Sequence, residues 1–215
     1  FGIDIGIGCN TYLEEYAYIP PVGAVSITRF GDTIPIPTFR HKGMASSVTY
    51  RPSIRLHYSL PIIKIAEGAK LQLPFFVGYY TFGGGVSLIY QNRQHRINKG
   101  SYNFHSLEMG FNPGVSFGRC YVGALVKGQY ILAANLKIYH GIGNIEKMDI
   151  TGNYQTYATN VGLNANYKIG RVSLGLESWF GLKNLYSTAF LESRAPWTYS
   201  LKDINFRAVV GFRFK

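Results

Sequence analysis

Residues 204–214, INFRAVVGFRF, alternate strictly between two kinds of side chain. The first set is apolar and comprises Ile204, Phe206, Ala208, Val210, Phe212 and Phe214, whereas the second comprises Asn205, Arg207, Val209, Gly211 and Arg213. A period of two places each set on its own face of a β-strand, whereas a helix with 3.6 residues per turn would mix them. The stretch therefore predicts a strand with one apolar face and one largely polar face.

The same alternation recurs upstream in seven further segments, which predicts about eight strands of roughly ten residues each. They are residues 1–9, 48–60, 71–81, 107–117, 122–132, 157–169 and 172–182. Tight turns are expected at Gly118 and Gly170, and a somewhat longer connection at 61–70. The other connections, 10–47, 91–106, 133–156 and 183–202, are long and polar. Short turns at one end and long loops at the other are typical of outer-membrane barrels.

Composition favours a membrane orientation for such a barrel. Charged residues make up only 15% of the 215 residues and aromatic residues another 15%, so the chain is too apolar to be disordered, and two cysteines exclude a disulfide scaffold. The polar faces are rich in Gly, Asn and Ser and lack the Lys and Glu density of a water-exposed surface. The only long uncharged stretch, 71–92, contains Pro74 and three consecutive glycines, which argues against a membrane-spanning helix. Because the chain begins at Phe1 without a targeting segment, we expect a mature form or a fragment.

These patterns predict an all-β fold, a transmembrane antiparallel up-and-down β-barrel of about eight strands that occupies residues 1–215 as one domain. Apolar side chains would face lipid, and polar ones would face a narrow lumen that small residues help to fill. A soluble ligand-binding barrel, which would place its apolar face inward, remains an alternative at this stage.

The terminal strand resembles that of bacterial outer-membrane barrels, in which alternating apolar residues and a final aromatic form the signal that the barrel-assembly machinery reads. Phe206, Val210, Phe212 and Phe214 match this signal, although Lys215 follows the final aromatic here. Overall the chain resembles small eight-stranded proteins of the OmpA-barrel and OmpX type, including those of the Bacteroidota. The resemblance implies a location in the bacterial outer membrane, with membrane lipid, lipopolysaccharide and the assembly machinery as partners.

Nine charged residues fall on the predicted inward faces. They are Asp4, Arg51, Arg55, Glu108, Lys127, Lys168, Glu177, Arg207 and Arg213. Unpaired charges in a narrow lumen would be costly, so we expect them to pair across the barrel. Such pairs would plug the lumen, and a charged, anion-selective path is the alternative.

Other candidate residues have weaker support. Arg93, Arg96 and Lys99 in the second long loop could contact lipopolysaccharide phosphates, whereas no motif suggests nucleic acid. His57 and Ser59 share a strand face, as a lipid-modifying enzyme would require, but that face is predicted to point inward. No residues have metal-ligand spacing, and no cofactor is expected.

The first function hypothesis is a non-enzymatic outer-membrane barrel with a largely plugged lumen. It would be structural, or a subunit of an envelope complex that docks other envelope proteins through long extracellular loops. The first loop, with Pro20, Pro21 and the segment 34–37, is stiffened by proline and suits docking. A small pore or transporter with a basic lumen is the second hypothesis, and a lipid-modifying barrel enzyme is the third.

Overall fold

A computed structural model describes residues 1–18, 25–27, 33–35, 39–44, 49–89, 97–140, 144–193 and 197–214. The strands are β1 Gly2–Tyr18, β2 Val25–Ile27, β3 Thr33–Pro35, β4 Phe39–Met44, β5 Thr49–Ala66, β6 Ala69–Ile89, β7 Ile97–Phe111, β8 Gly114–Phe117, β9 Cys120–His140, β10 Asn144–Asp149, β11 Tyr157–Ile169, β12 Val172–Gly181 and β13 Trp197–Arg213. A 3₁₀ turn at Thr151–Asn153 and a short helix, α1, at Thr188–Ser193 complete the elements.

The long strands close into an antiparallel ring with eight positions. Its order is β1, β5, β6, β7, β9, β11, β12 and β13, and β13 pairs with β1 again. The strand β8 continues β7 after a break at Pro113 and pairs with the same two neighbours. Across the break, the Asn112 amide donates to the Pro74 carbonyl at 2.8 Å. The predicted up-and-down barrel of eight strands is confirmed.

Two-residue turns join the strands at one end of the ring. Gly68, Gly118 and Gly170 lie in these turns with φ of 80°, 55° and 63°, a left-handed conformation that glycine adopts without steric cost. The expectation of a longer connection over residues 61–70 is wrong, because β5 continues to Ala66 before a tight turn. By the usual arrangement of such barrels, this end faces the periplasm.

At the opposite end, the strands are longer than predicted. β1 continues to Tyr18, β7 begins at Ile97, β9 continues to His140 and β13 begins at Trp197, all within segments predicted to be loops. Additional pairs of β4 with β1 and of β10 with β9 extend the sheet further, and β2 with β3 forms a separate small ribbon. The prediction failed here because a strand beyond the lipid needs only backbone pairing and no apolar face.

The barrel has its apolar side chains on the outside. Leu163, Leu176 and Phe206 are 65%, 68% and 57% exposed, whereas Glu108 is fully buried and Arg207 is 2% exposed. A soluble barrel would have the reverse arrangement, so the soluble alternative is wrong and the membrane orientation is confirmed. In the part of the chain that the structure describes, no helix is long and apolar enough to cross a membrane.

Candidate functional site

Five of the charged residues predicted to face inward meet in the middle of the barrel. Glu108 accepts hydrogen bonds from Arg55 Nε at 2.5 Å, Lys127 Nζ at 3.0 Å and Arg207 Nη1 at 3.1 Å. Glu177 accepts from Arg55 Nη1 at 2.7 Å and from Arg207 Nη2 at 2.6 Å and Nε at 3.0 Å. We call these five residues the charged layer. They come from β5, β7, β9, β12 and β13, so the layer links strands all around the ring.

Aromatic rings support the three cations of the charged layer, which outnumber its two carboxylates. Lys127 Nζ lies 3.5 Å from the centre of the Trp179 ring, and Arg207 lies 4.8 Å above the same ring. The guanidinium of Arg55 lies 4.1 Å above Phe76. Cation–π contacts of this kind gain strength where water is excluded.

The local sequence explains how the charged layer fits into a narrow barrel. Glu177 and Arg207 are directly opposite each other in the β12–β13 pair, so their side chains leave the same side of the sheet. Gly6 gives the Arg207 side chain its space, because a Cβ at this glycine would lie 2.8 Å from Arg207 Cδ. The expectation that small residues line the lumen is realised at this contact.

A second cluster of hydrogen-bonded polar side chains lies between the charged layer and the extracellular end. Tyr80 donates its hydroxyl to Asn205 Oδ1 at 2.5 Å, and Asn205 donates to Asp203. The Trp179 indole also donates to Asp203, at 3.3 Å. Sequence reasoning missed Asp203, which is fully buried, because it fell between a predicted loop ending at 202 and a strand beginning at 204. Extending the alternation of β13 backwards by one step would have found it.

Aromatic side chains fill the extracellular end. Phe104 stacks on Phe82 with ring centres 4.7 Å apart and contacts the edge of Tyr154 at 4.8 Å, and Tyr154 stacks on Tyr186 at 5.4 Å. Tyr186 also stacks on Phe190 of α1 at 4.7 Å. We call these five rings the aromatic cap.

Backbone hydrogen bonds tie together the two connections that carry the cap. The Gln155 amide donates to the Leu185 carbonyl at 2.7 Å, and the Ser187 amide donates to the Asn153 carbonyl at 2.8 Å. The Thr151 hydroxyl and amide donate to Asp149 at 2.6 and 2.9 Å, and these hydrogen bonds hold the pKa of that exposed carboxyl below its usual value. The connection after β10 and the connection before β13 therefore fold over the mouth as one unit.

Little space remains inside the middle of the barrel. The cavity next to the charged layer, lined by Arg55, Glu177 and Asn164 among others, has a volume of about 40 Å³. A cavity of that size holds only a few water molecules, because one water needs roughly 10–15 Å³ on this measure. Side chains therefore occupy most of the interior next to the charged layer.

The other four residues of the predicted lumen set lie outside the charged layer. Asp4 faces inward and lies 3.1 Å from His57 Nδ1. Arg51 faces inward from β5, and its Nε is buried without a hydrogen-bond partner among the described residues. Lys168 and Arg213 line the periplasmic mouth, and Arg213 also borders the inner cavity, which Asp4 and Glu177 line too.

Several other predicted positions can be located only in part. Arg93 and Arg96 lie outside the described residues, and only the backbone of Lys99, in β7, is described. His57 and Ser59 line the inner cavity, so they face the lumen. Phe206, Val210, Phe212 and Phe214 are all exposed on the lipid-facing surface. Within the described ranges, no three His, Cys, Asp or Glu side chains gather as metal ligands would.

Comparison with known proteins gives only distant likenesses. No family model and no curated protein sequence matches the chain. Ail, the attachment invasion locus protein of Yersinia pestis, was solved in complex with the heparin analogue sucrose octasulfate; it is 10% identical, with 97% of this chain and 99% of that chain covered and a TM-score of 0.37. Neisserial surface protein A is 11% identical, with 98% and 97% covered and a TM-score of 0.34. The outer membrane protease OmpT from Escherichia coli is 12% identical, with 99% and 96% covered and a TM-score of 0.41.

Likenesses at this level carry no argument about activity, so the class of protein follows from the chain's own structure. An even number of antiparallel strands, a closed ring, short turns at one end and an apolar exterior around a polar interior define the bacterial outer-membrane β-barrel. The chain has each of these features. It is an outer-membrane β-barrel that spans the bacterial outer membrane and is surrounded by its lipid.

Proposed function

We propose that this barrel is a non-enzymatic outer-membrane protein with a closed lumen. The observation that carries the proposal is the charged layer, in which both carboxylates contact more than one cation and all five side chains are nearly or fully buried. Opening a water path would separate buried ion pairs and leave charges uncompensated, which is energetically costly. The aromatic cap adds a second closure of a different chemical kind.

The closed barrel would act as a structural element or as a subunit of an envelope complex that binds other envelope proteins. In support, β4 and β10 extend the sheet beyond the ring, and each pairs with one neighbour only among the described strands, so its outer backbone edge is open for docking. Lipopolysaccharide phosphates are proposed contacts for Arg93, Arg96 and Lys99. Phe206, Val210, Phe212 and Phe214 are proposed to be read by the barrel-assembly machinery during insertion.

Solute flux into proteoliposomes tests the closed lumen. Vesicles that carry the purified chain should swell in isotonic glycine or glucose no faster than protein-free vesicles. Heat-shifted migration in SDS gels, which folded membrane barrels show, verifies that the inserted protein is folded. Swelling that rises in proportion to the amount of inserted protein would contradict the proposal and favour the second hypothesis, a small pore or transporter with a basic lumen.

One observation favours an enzymatic alternative. His105 lies on the lipid-facing side, where its Nδ1 is 2.5 Å from the Tyr79 hydroxyl and its Nε2 is 2.9 Å from Asn103 Nδ2. A lipid-modifying enzyme would need such a group beside the lipid. The partners of this histidine are a phenol and an amide, a pattern that equally serves to hold β6 against β7. Release of fatty acid from phospholipid vesicles by the wild type, lost in His105→Ala, would establish the alternative, and we expect no release.

A further inference from the structure

A recess of about 300 Å³ opens at the periplasmic end of the barrel, on the far side of the charged layer from the aromatic cap. Its wall includes four basic side chains together with two polar ones. They are Lys70, Arg119, Lys168, Arg213, Gln72 and Ser116. We call this space the basic recess.

The strands direct two of the four cations, Lys168 and Arg213, towards the lumen, whereas the side chains of Lys70 and Arg119 are exposed at the rim of the recess. Lys168 and Arg213 follow the inward alternation of β11 and β13, so their side chains face the lumen and not the lipid. The Lys168 amide donates to the Arg119 carbonyl at 2.8 Å, which joins the β8–β9 turn to the neighbouring strand. The Lys70 carbonyl accepts from the Ser116 hydroxyl at 3.2 Å, and Gln72 donates to that hydroxyl at 3.0 Å. Hydrogen bonds of the backbone and of the Gln72 and Ser116 side chains therefore order the wall of the recess.

The basic recess is electrostatically unlike the charged layer. No carboxylate lines it, and none of its four cations forms an ion pair within the described part of the chain. The charged groups that act on Lys168 are Arg213 and Lys70, which repel it. Arg213 also has a buried Nε that finds no hydrogen-bond partner among the described residues, and its nearby acidic group, Asp4, is shared with His57.

We propose that the basic recess binds a soluble anion that carries phosphate or carboxylate groups and enters from the periplasm. Arg and Lys side chains bind such oxyanions through charge-assisted hydrogen bonds, and a bound anion would relieve the mutual repulsion of the cations. The volume suits a small dianion with several waters, since one water needs roughly 10–15 Å³ on the measure used for the inner cavity. Because the lining faces the lumen, lipid headgroups around the barrel are poorly placed to fill the recess. The small inner cavity, which shares Gln72, Tyr121 and Arg213 with the recess, lies between it and the charged layer. With the lumen closed there, as proposed above, the recess is a pocket and not the entrance of a path.

Calorimetric titration of the full chain in phosphatidylcholine nanodiscs tests the proposal. Inorganic pyrophosphate and, separately, succinate are titrated at constant ionic strength, and we expect saturable binding of one anion per barrel for at least one of them. Arg213→Gln and Lys168→Gln should each weaken this binding about tenfold or more, because each removes a charged donor. Lys64→Gln and Arg171→Gln are matched controls, since both residues are exposed at the same end but do not line the recess. Their affinity should match that of the wild type.

Three results would overturn the proposal. The wild type could give no saturable heat with either anion, a result that does not depend on any variant folding. The two controls could weaken binding as much as the recess variants, which would show a diffuse attraction without a site. Nanodiscs that contain phosphatidylglycerol could abolish pyrophosphate binding, which would assign the recess to a lipid headgroup instead of a soluble anion. Equal binding in both kinds of nanodisc supports the soluble ligand.

Discussion

At the scale of single residues, Glu108 is the carboxylate of the charged layer that contacts all three of its cations. It is fully buried and accepts hydrogen bonds from Arg55, Lys127 and Arg207, which lie on three different strands. Removing its charge would leave three buried cations with Glu177 as the one remaining carboxylate of the layer. The energetic consequence is asymmetric, because a buried ion pair adds little net stability while breaking it is costly.

We therefore expect Glu108→Gln to lower the free energy of unfolding by about 3–5 kcal/mol. Equilibrium unfolding in urea from lipid vesicles would measure this loss. Glu67→Gln is the matched control, since Glu67 is exposed in the β5–β6 turn and its replacement should change stability by less than about 0.5 kcal/mol. Equal effects of the two substitutions would show that the charged layer does not stabilise the barrel.

A second prediction at this scale concerns the cost of placing a charge on the lipid-facing surface. Leu163 lies in the middle of β11 and Ile169 at its periplasmic end, and both are exposed on the outside. Leu163→Lys should destabilise the barrel in lipid by about 2–4 kcal/mol, whereas Ile169→Lys should cost about 0–1 kcal/mol, because the penalty falls towards the interface. The same unfolding assay compares them. A larger cost at Ile169 would place the membrane at a different height on the barrel.

Asn164, next to Leu163, faces inward and is also expected to be sensitive to replacement by lysine. Its side chain is 4% exposed and donates to Glu177 Oε1 at 2.9 Å. A lysine in its place would lose this hydrogen bond and crowd a packed interior. Inward positions are therefore as sensitive as lipid-facing ones, for a different physical reason.

At the scale of elements, alternation predicted each ring strand but not its length. The contrast between faces exists only where one face meets lipid, so the pattern fades where β1 and β9 extend past the membrane. The strand predicted to end at Leu60 continues past Pro61 to Ala66 through a register shift, so the β5–β6 turn is shorter than predicted. The tight turns at Gly118 and Gly170 were predictable, since a tight turn needs the positive φ that glycine adopts readily, whereas the turn at Gly68 was not predicted.

For the candidate site, the sequence predicted which side chains face the lumen but not which of them contact one another. Alternation gave the inward face of Arg55, Glu108 and Arg207, but it could not give their partners, because a long side chain can reach several strands across a narrow lumen. It therefore could not separate the charged layer from Lys168 and Arg213, which face the lumen at a lower level. Four of the five rings of the aromatic cap, all but Phe82, lie in predicted loops, where no pattern indicated that two connections would pack together.

The aromatic cap should open as a unit. Tyr186→Ala removes a ring that contacts both Tyr154 and Phe190, so amide hydrogen exchange at residues 150–155 should accelerate about tenfold or more. Hydrogen exchange followed by mass spectrometry measures this change. Tyr167→Ala, on the lipid-facing side near the periplasmic end, should leave that exchange unchanged. Unaltered exchange in the Tyr186 variant would show that the two connections fold independently.

The Asp149–Thr151 contact makes the edge of the cap sensitive to pH. Hydrogen bonds from Thr151 lower the pKa of Asp149 in the folded protein. The contact therefore stabilises the folded cap at pH values above the pKa that Asp149 has in the unfolded chain. This stabilisation is lost as the pH falls through the lower pKa that Asp149 has in the folded protein. After correction for intrinsic rates, exchange of the Thr151 amide should accelerate below about pH 4. Asp149→Asn should abolish this dependence. Equal protection at low and neutral pH in the wild type would contradict it.

At the scale of the whole molecule, three levels of the lumen have three kinds of chemistry. The periplasmic mouth is basic and open, the middle is an ion-paired layer with little free volume, and the extracellular end is filled by aromatic rings. In the closed lumen that we propose, the two upper levels close the barrel by independent means. Loss of one should therefore leave the other in place, and Glu108→Gln should reduce stability without creating a steady current.

The conductance of single wild-type barrels in planar lipid bilayers tests the closed lumen most directly. The protein is delivered from proteoliposomes in which heat-shifted gel migration has verified folded barrels. We predict a nearly silent membrane, with no steady openings at voltages of either sign, because the charged layer leaves room for only a few waters. Steady, anion-selective openings that increase with the amount of inserted protein would contradict the closed lumen and identify the barrel as a pore.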